Sequence, residues 1–137
     1  MRSIIIGILL AASLASAQSA RPHRVVVEVN VSGLAAYGLI LNNVENLRRA
    51  FAPEPVEVEV VCHGPGIDML KANPNRFAKR ITELNRLGIR FAACANTLKG
   101  RHIEIRQLFP FVKVVKSGVY EVVSKQEAGW AYLKGAS

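Results

Sequence analysis

Strand-like and helix-like segments alternate along almost the whole of this chain, and that alternation limits it to a narrow set of folds. Residues 24–30 (RVVVEVN) form a β-branched run of the kind found in strands covered on both faces. Ser32-Gly33 then opens a stretch in which Leu34, Tyr37, Leu41, Val44, Leu47 and Phe51 recur at intervals of three and four, the stripe of an amphipathic helix. Ala52-Pro53-Glu54-Pro55 stops it. Residues 56–61 follow as a strand whose alternation predicts an exposed face at Glu57 and Glu59. That strand ends in the breaker-rich turn Cys62-His63-Gly64-Pro65-Gly66, with a short helix expected over 67–72.

The second half repeats the alternation. Asn73-Pro74 has the form of a helix start, a capping side chain before a proline at the first helical position. Phe77, Ile81, Leu84 and Leu87 supply its buried stripe, and Gly88 suits the position just past its end. A third strand over 89–93 delivers Cys94. A turn or helix begins near 96–98, residues 103–108 read as helical, and 111–116 form a fourth strand. Ser117-Gly118 opens a helix carrying Val119, Val122 and Val123, Gly129 ends it, and 130–133 is a short fifth strand. Five strands separated by helices predict an α/β fold built on one parallel or mainly parallel sheet, with helices on both faces.

The first 20 residues stand apart from this pattern. Arg2 precedes an apolar run from Ile4 to Leu14, and Ala15-Ser16-Ala17 has the small-x-small form of a cleavage site. Residues 1–20 therefore read as a secretory signal peptide region; a cut after Ala17 would leave 18–137, of which 21–137 form a single domain expected in the periplasm or outside the cell. The run is about half of the roughly 20 residues that span a bilayer, so no stable membrane insertion is expected after cleavage. The net charge is +8, but the basic residues are dispersed and not interleaved with aromatics. A nucleic-acid partner is not expected on that pattern, whereas a basic exterior suits small anions or an acidic partner.

In a parallel sheet the C-terminal strand ends share one rim, where open α/β folds bind ligands. The rim here comprises 30–33, 62–64, 94–97 and 116–118, so both cysteines fall on it, at the ends of consecutive strands. A helix starting at Asn96 or Thr97 would favour a Cys94 thiolate, and Lys99, Arg101 and His102 follow within one loop. The competing reading is a small, buried, inert cysteine. His63 stands beside Cys62 as a group that could orient or deprotonate a thiol, although neighbours in a strand point to opposite faces. A Cys62–Cys94 disulfide stays open if their Cα atoms come within about 7 Å. The His63-Gly64-Pro65-Gly66 turn lacks the nucleophile elbow of a hydrolase and the third glycine of a dinucleotide fingerprint. Cys62, His63, Cys94 and His102 show no zinc-site spacing, and neither a metal nor a cofactor is expected.

Three segments together resemble one family. Residues 87–98 (LGIRFAACANTL) are similar to the GV-x-F-x-x-C-x-NT-L signature of DsrE/DsrF-like proteins. Val61-Cys62-His63-Gly64 with Pro65-Gly66 resembles that family's strand-end HG turn. Val115-Lys116-Ser117-Gly118-Val119 with 126–132 (QEAGWAY) resembles its SGV…Q-x-x-G-x-AY ending. The resemblance implies a three-layer α/β/α sandwich with a five-stranded, mainly parallel sheet, assembled as a homotrimer or homohexamer. It also implies a sulfur relay, in which one cysteine carries a persulfide and hands its outer sulfur to a partner thiol. Cys94 matches the sulfur-carrying position, Asn96 and Thr97 shape its turn, and Cys62 and His63 complete the expected binding set. The expected partners are a sulfur donor or acceptor protein or a small anionic sulfur compound. Export sets this chain apart from the cytoplasmic relay members, because an oxidising compartment favours a disulfide or a capped thiol. The alternative is therefore a non-enzymatic oligomeric binding module, or a thiol/disulfide protein with a Cys62–Cys94 bridge.

Overall fold

A computed structural model describes residues 21–137. Five strands, β1 (His23–Val29), β2 (Val56–Cys62), β3 (Arg90–Cys94), β4 (Lys113–Val115) and β5 (Ala131–Lys134), form one sheet in the order β4-β3-β2-β1-β5. Every neighbouring pair is parallel. The connections carry α1 (Leu34–Phe51), α2 (Ala78–Arg86), α3 (Ala95–Gly100) and α4 (Gly118–Glu127), with 3-10 helices at Gly64–Leu70 and Ile105–Gln107. This is the expected α/β architecture. The expected signal peptide, residues 1–20, lies outside the described residues. Among the described residues no helix is long and apolar enough to cross a membrane.

The strand order dictates the layers. From β1 to β4 the chain steps outward in one direction, and right-handed crossovers keep those connections on one face of the sheet. β5 returns to lie beyond β1, so α4 must cross the opposite face. Two cores result. On the first face Val25, Val27, Val60, Cys62 and Phe91 pack with Tyr37, Ile40 and Leu41 of α1 and Ile81 and Leu84 of α2. On the second, a smaller core joins Val26, Val61, Ala92 and Val115 to Val122 of α4 and to Trp130.

Several local expectations shift by a residue or a turn. The buried stripe of α1 is Tyr37, Ile40, Leu41 and Val44, while Leu34 is exposed. Of the three expected α4 valines only Val122 faces the sheet, and Val119 and Val123 point to solvent, because a single helix on this face presents one narrow stripe. The second helix starts at Ala78 rather than at Asn73-Pro74, since Asn75 organises the turn. Its Oδ1 accepts from the Phe77 N–H at 2.8 Å, and its Nδ2 donates to the carbonyls of Met69 (3.0 Å) and Lys71 (2.8 Å). Gly88 ends α2 with φ +98°, a conformation that side chains rarely adopt, as its position predicted.

The expected exposed face of β2 requires a correction. Glu57 is partly exposed, but Glu59 is 2% accessible. The alternation identified the face correctly, and α4 covers it there. A carboxylate tolerates that burial because two cations reach it: Lys125 Nζ at 3.1 Å and Arg90 Nε at 3.5 Å from Glu59 Oε2.

Candidate functional site

Ligand sites in open α/β sheets form where connections after adjacent strands leave toward opposite faces. That point lies between β3 and β4. The chain leaves β3 through α3, whose Leu98 joins the larger core, and leaves β4 through α4 on the other face. Cys94 is the last residue of β3 and pairs in register with Val115 of β4. It is also the residue that caps α3. Its thiol therefore lies in the crevice between two helix starts, with residue accessibility of 5%.

The donors in that crevice set the acidity of the thiol. Burial pushes it up, but the Thr97 hydroxyl and the backbone N–H groups of Gly118, Thr97 and Asn96 face the sulfur and outweigh burial. The net result is a Cys94 thiol below its ordinary value, so more of it is thiolate at neutral pH. Thr97 links this cradle to the neighbouring turn, because its Oγ1 accepts from the Gly64 N–H at 2.9 Å while its hydroxyl proton faces Cys94. Gly118 can approach only because it has no side chain. A Cβ there would sit 2.7 Å from His63 Cβ and 3.1 Å from its Cγ.

His63 flanks the cradle and is fixed from behind. Its Nε2 lies 2.7 Å from Glu28 Oε1, and the Tyr132 hydroxyl donates to Glu28 Oε2. Burial raises the Glu28 carboxyl, but hydrogen bonds from Tyr132 and His63, with the nearby charges of His63 and Lys134, hold it below the usual value. Its partner Tyr132 is pushed up to about 12, chiefly by the hydrogen bond it gives to Glu28. Beside an ionised Glu28, His63 Nε2 carries the proton of this bond and donates it to Oε1.

Of the sequence-predicted set, Cys94, Thr97, His63 and the Asn96 amide converge. Cys62 does not join them. It pairs in register with Ala93, and its side chain belongs to the core beneath α1 and α2, on the face of the sheet away from α4. Cys94 shares the other face with Ala92, two residues before it. Both thiols are free, and the sheet itself stands between them, so the Cys62–Cys94 bridge is not formed. Complete burial pushes the Cys62 thiol far up and keeps it protonated.

The basic loop also plays a different part from the one its spacing suggested. Arg101 pairs with Asp68 at 3.0 and 3.2 Å, and Lys99, Arg101 and His102 are not among the main influences on the Cys94 thiol. Gly118, Glu28 and Tyr132 were missed by sequence reasoning. The Ser117-Gly118 pair after a strand marked a helix start, but not that this helix would begin over Cys94. Among the described residues, no three His, Cys, Asp or Glu side chains gather as a metal-holding group.

A parallel α/β sheet with a low-lying thiol at its switch point places the chain among thiol-bearing α/β proteins. It belongs to the DsrE/DsrF-like family, whose model matches residues 11–134. The chain is similar to the solved structure of a protein of unknown function, MTH1491, from Methanobacterium thermoautotrophicum. The identity is 33% and the TM-score 0.78, over 82% of this chain and 98% of that one. A second solved structure, the conserved protein of unknown function BT1422 from Bacteroides thetaiotaomicron, shares the fold at 12% identity and TM-score 0.63. That match covers 81% of this chain and 93% of that one. No curated protein sequence matches.

Proposed function

We propose that this protein is a sulfur carrier that holds sulfane sulfur as a persulfide on Cys94. Family membership supports a sulfur-relay role in general. The observation that carries the finer reading is the cradle of amide and hydroxyl donors that lowers the Cys94 thiol. In the loading step the Cys94 thiolate attacks the outer sulfur of a donor R–S–SH. The Sγ–S bond forms as the donor S–S bond breaks, the sulfane sulfur keeps its proton, and R–S⁻ departs with the negative charge. Unloading is the same exchange onto an acceptor thiolate, and no external oxidant or reductant is needed.

His63, fixed by Glu28, and Thr97, fixed by the Gly64 amide, shape the entrance, with the Asn96 amide completing the donor set. The basic composition favours anionic sulfur donors or an acidic donor or acceptor protein. The leader-like residues 1–20 support action in the periplasm or outside the cell. Val119, Tyr120 and Val123 of α4 and Tyr132 of β5 expose apolar surface, which supports assembly of the chain with copies of itself.

The test is to incubate the protein with polysulfide, or with thiosulfate and a donor enzyme, and to measure its intact mass. A one-sulfur adduct is expected that is lost in Cys94→Ser and kept in Cys62→Ser. An adduct undiminished in Cys94→Ser contradicts the assignment.

A further inference from the structure

Four side chains stand in a row along the Cys94 rim, contributed by the adjacent strands β5, β1, β2 and β3. Val26 of β1, Val61 of β2 and Ala92 of β3 lie in the smaller core, so the residues two steps on, Glu28, His63 and Cys94, share that face. His63 keeps the alternation although β2 ends at Cys62. Its backbone is extended (φ −145°, ψ 170°), and its N–H donates to the Val29 carbonyl at 3.0 Å. Cys62 pairs with Ala93, so one step further along the ladder His63 stands opposite Cys94. Neighbouring strands lie about 4.8 Å apart, which brings the imidazole within reach of a sulfur bonded to Cys94 Sγ. Tyr132 of β5 pairs with Val26 and completes the row.

The row is connected as well as aligned. The Tyr132 hydroxyl donates to Glu28 Oε2, and His63 Nε2 donates to Glu28 Oε1 at 2.7 Å. The imidazole also packs against Gly118, whose N–H faces the Cys94 sulfur. His63 and Glu28 keep 16% and 18% of their side chains accessible, so a reactant at the rim can reach the ring. The charged and titratable groups around it are Glu28 from β1, Tyr132 and Lys134 from β5 and Cys94 from β3. α4 presents the Gly118 backbone, and Arg101, after α3, reaches the Gly64 carbonyl at 3.4 Å.

Sulfur transfer has a use for such a group, because an alkyl thiolate is a basic and therefore slow leaving group. We propose that His63 is the proton donor and acceptor of the transfer, with Glu28 and Tyr132 as the positioning residues that hold it. Nε2 is engaged by Glu28, so Nδ1 is the nitrogen that exchanges protons. In loading, the Cys94 thiolate attacks the outer sulfur of R–S–SH and the donor S–S bond breaks. The imidazolium gives its Nδ1 proton to the leaving sulfur, which departs as R–SH. In unloading, the neutral imidazole takes the proton of the acceptor R′–SH as that thiol attacks the outer sulfur, and Cys94 leaves as the thiolate. One proton goes out and one returns, so the cycle restores both groups without an oxidant or a reductant. The proposal rests on Cys94 as the sulfur-carrying thiol.

Thiol–disulfide exchange at Cys94 tests the role of His63 without sulfane sulfur. Dithiodipyridine releases a stable leaving group that needs no acid, whereas hydroxyethyl disulfide releases a basic alkyl thiolate. His63→Gln, whose amide can still donate to Glu28, should slow the alkyl reaction about hundredfold and the pyridyl reaction no more than about threefold. The wild-type alkyl rate should rise with pH as Cys94 ionises and fall as the imidazolium loses its proton, and His63→Gln should lack the falling limb. Glu28→Gln should keep both limbs, with the falling one displaced to lower pH, because the imidazolium has lost its counter-charge. Equal slowing of the two disulfides in His63→Gln, or unchanged rates with both, would overturn the proposal. A wild-type protein that shows this selectivity but takes up no sulfur contradicts the carrier reading and leaves the proton role of His63 standing.

Discussion

Cys62 and Cys94 end neighbouring parallel strands one residue apart in register, and the sheet gives them opposite environments. Cys62 is fully buried in the larger core, where burial alone acts on it and keeps it a protonated, apolar side chain. Cys94 is almost as buried, but four hydrogen-bond donors from two helix starts face its sulfur and reverse the effect of burial. Accessibility therefore does not distinguish a thiol raised by burial from one lowered by its neighbours. What distinguishes them is the supply of donors, and the parity of a strand decides which thiol receives it.

Substitutions can break this comparison. The largest effect is expected from Cys94→Ser, which should abolish sulfur loading while leaving the melting temperature near that of the wild type. Cys62→Ser should do the reverse. It retains loading but loses about 1–3 kcal/mol in denaturant titration, because a hydroxyl in the larger core lacks the partner it needs. Gly118→Ala should impair both properties. Its Cβ would meet His63, and with backbone and ring both held, α4 must retreat. Overpacking of this kind costs about 1–3 kcal/mol, and the thiol titration followed by ultraviolet absorbance should move up as the Gly118 donor withdraws.

Smaller changes sharpen the comparison. Thr97→Val removes the hydroxyl that faces Cys94 and accepts from Gly64, at a cost of about 1 kcal/mol. Thr97→Ser should restore both the stability and the thiol titration. The smallest effect is a pH dependence. Because the folded Cys94 thiol is lowered, its ionisation stabilises the native state fully above the unfolded thiol value, and that contribution is lost as pH falls through the folded value. Stability of the wild type relative to Cys94→Ser should therefore grow as pH rises toward the ordinary thiol value, measured by paired urea titrations.

Much of the architecture was legible because it is written in local periodicity. The β-branched run of β1, the strand-to-cysteine segment of β3 and Gly88 at the end of α2 each carry their meaning within a few residues. The rim position of Cys94 followed from strand direction alone. What the sequence concealed depends on partners far along the chain. The alternation at Glu57 and Glu59 marked a face but not the helix, some 60 residues later, that buries Glu59. Lys99, Arg101 and His102 are close to Cys94 in sequence, yet Arg101 is drawn to Asp68, and the donors that face the thiol are Thr97, the Asn96 amide and, from far along the chain, the Gly118 amide. Helix starts misled where a side chain two residues on, Asn75, organised the turn instead of Asn73. A rim listed from sequence does not show side-chain parity, and for that reason the two cysteines looked like candidates for one bridge.

The proposed carrier role requires one buried thiol to be chemically available and the other not to be. Brief alkylation of the native wild-type protein at neutral pH, below the ordinary thiol value of 9.0, followed by peptide mapping, tests it most directly. Label is expected on Cys94 alone, with Cys62 labelled only after denaturation. Label on Cys62 first, equal label on both, or a Cys94 that stays unmodified until the protein unfolds would contradict it.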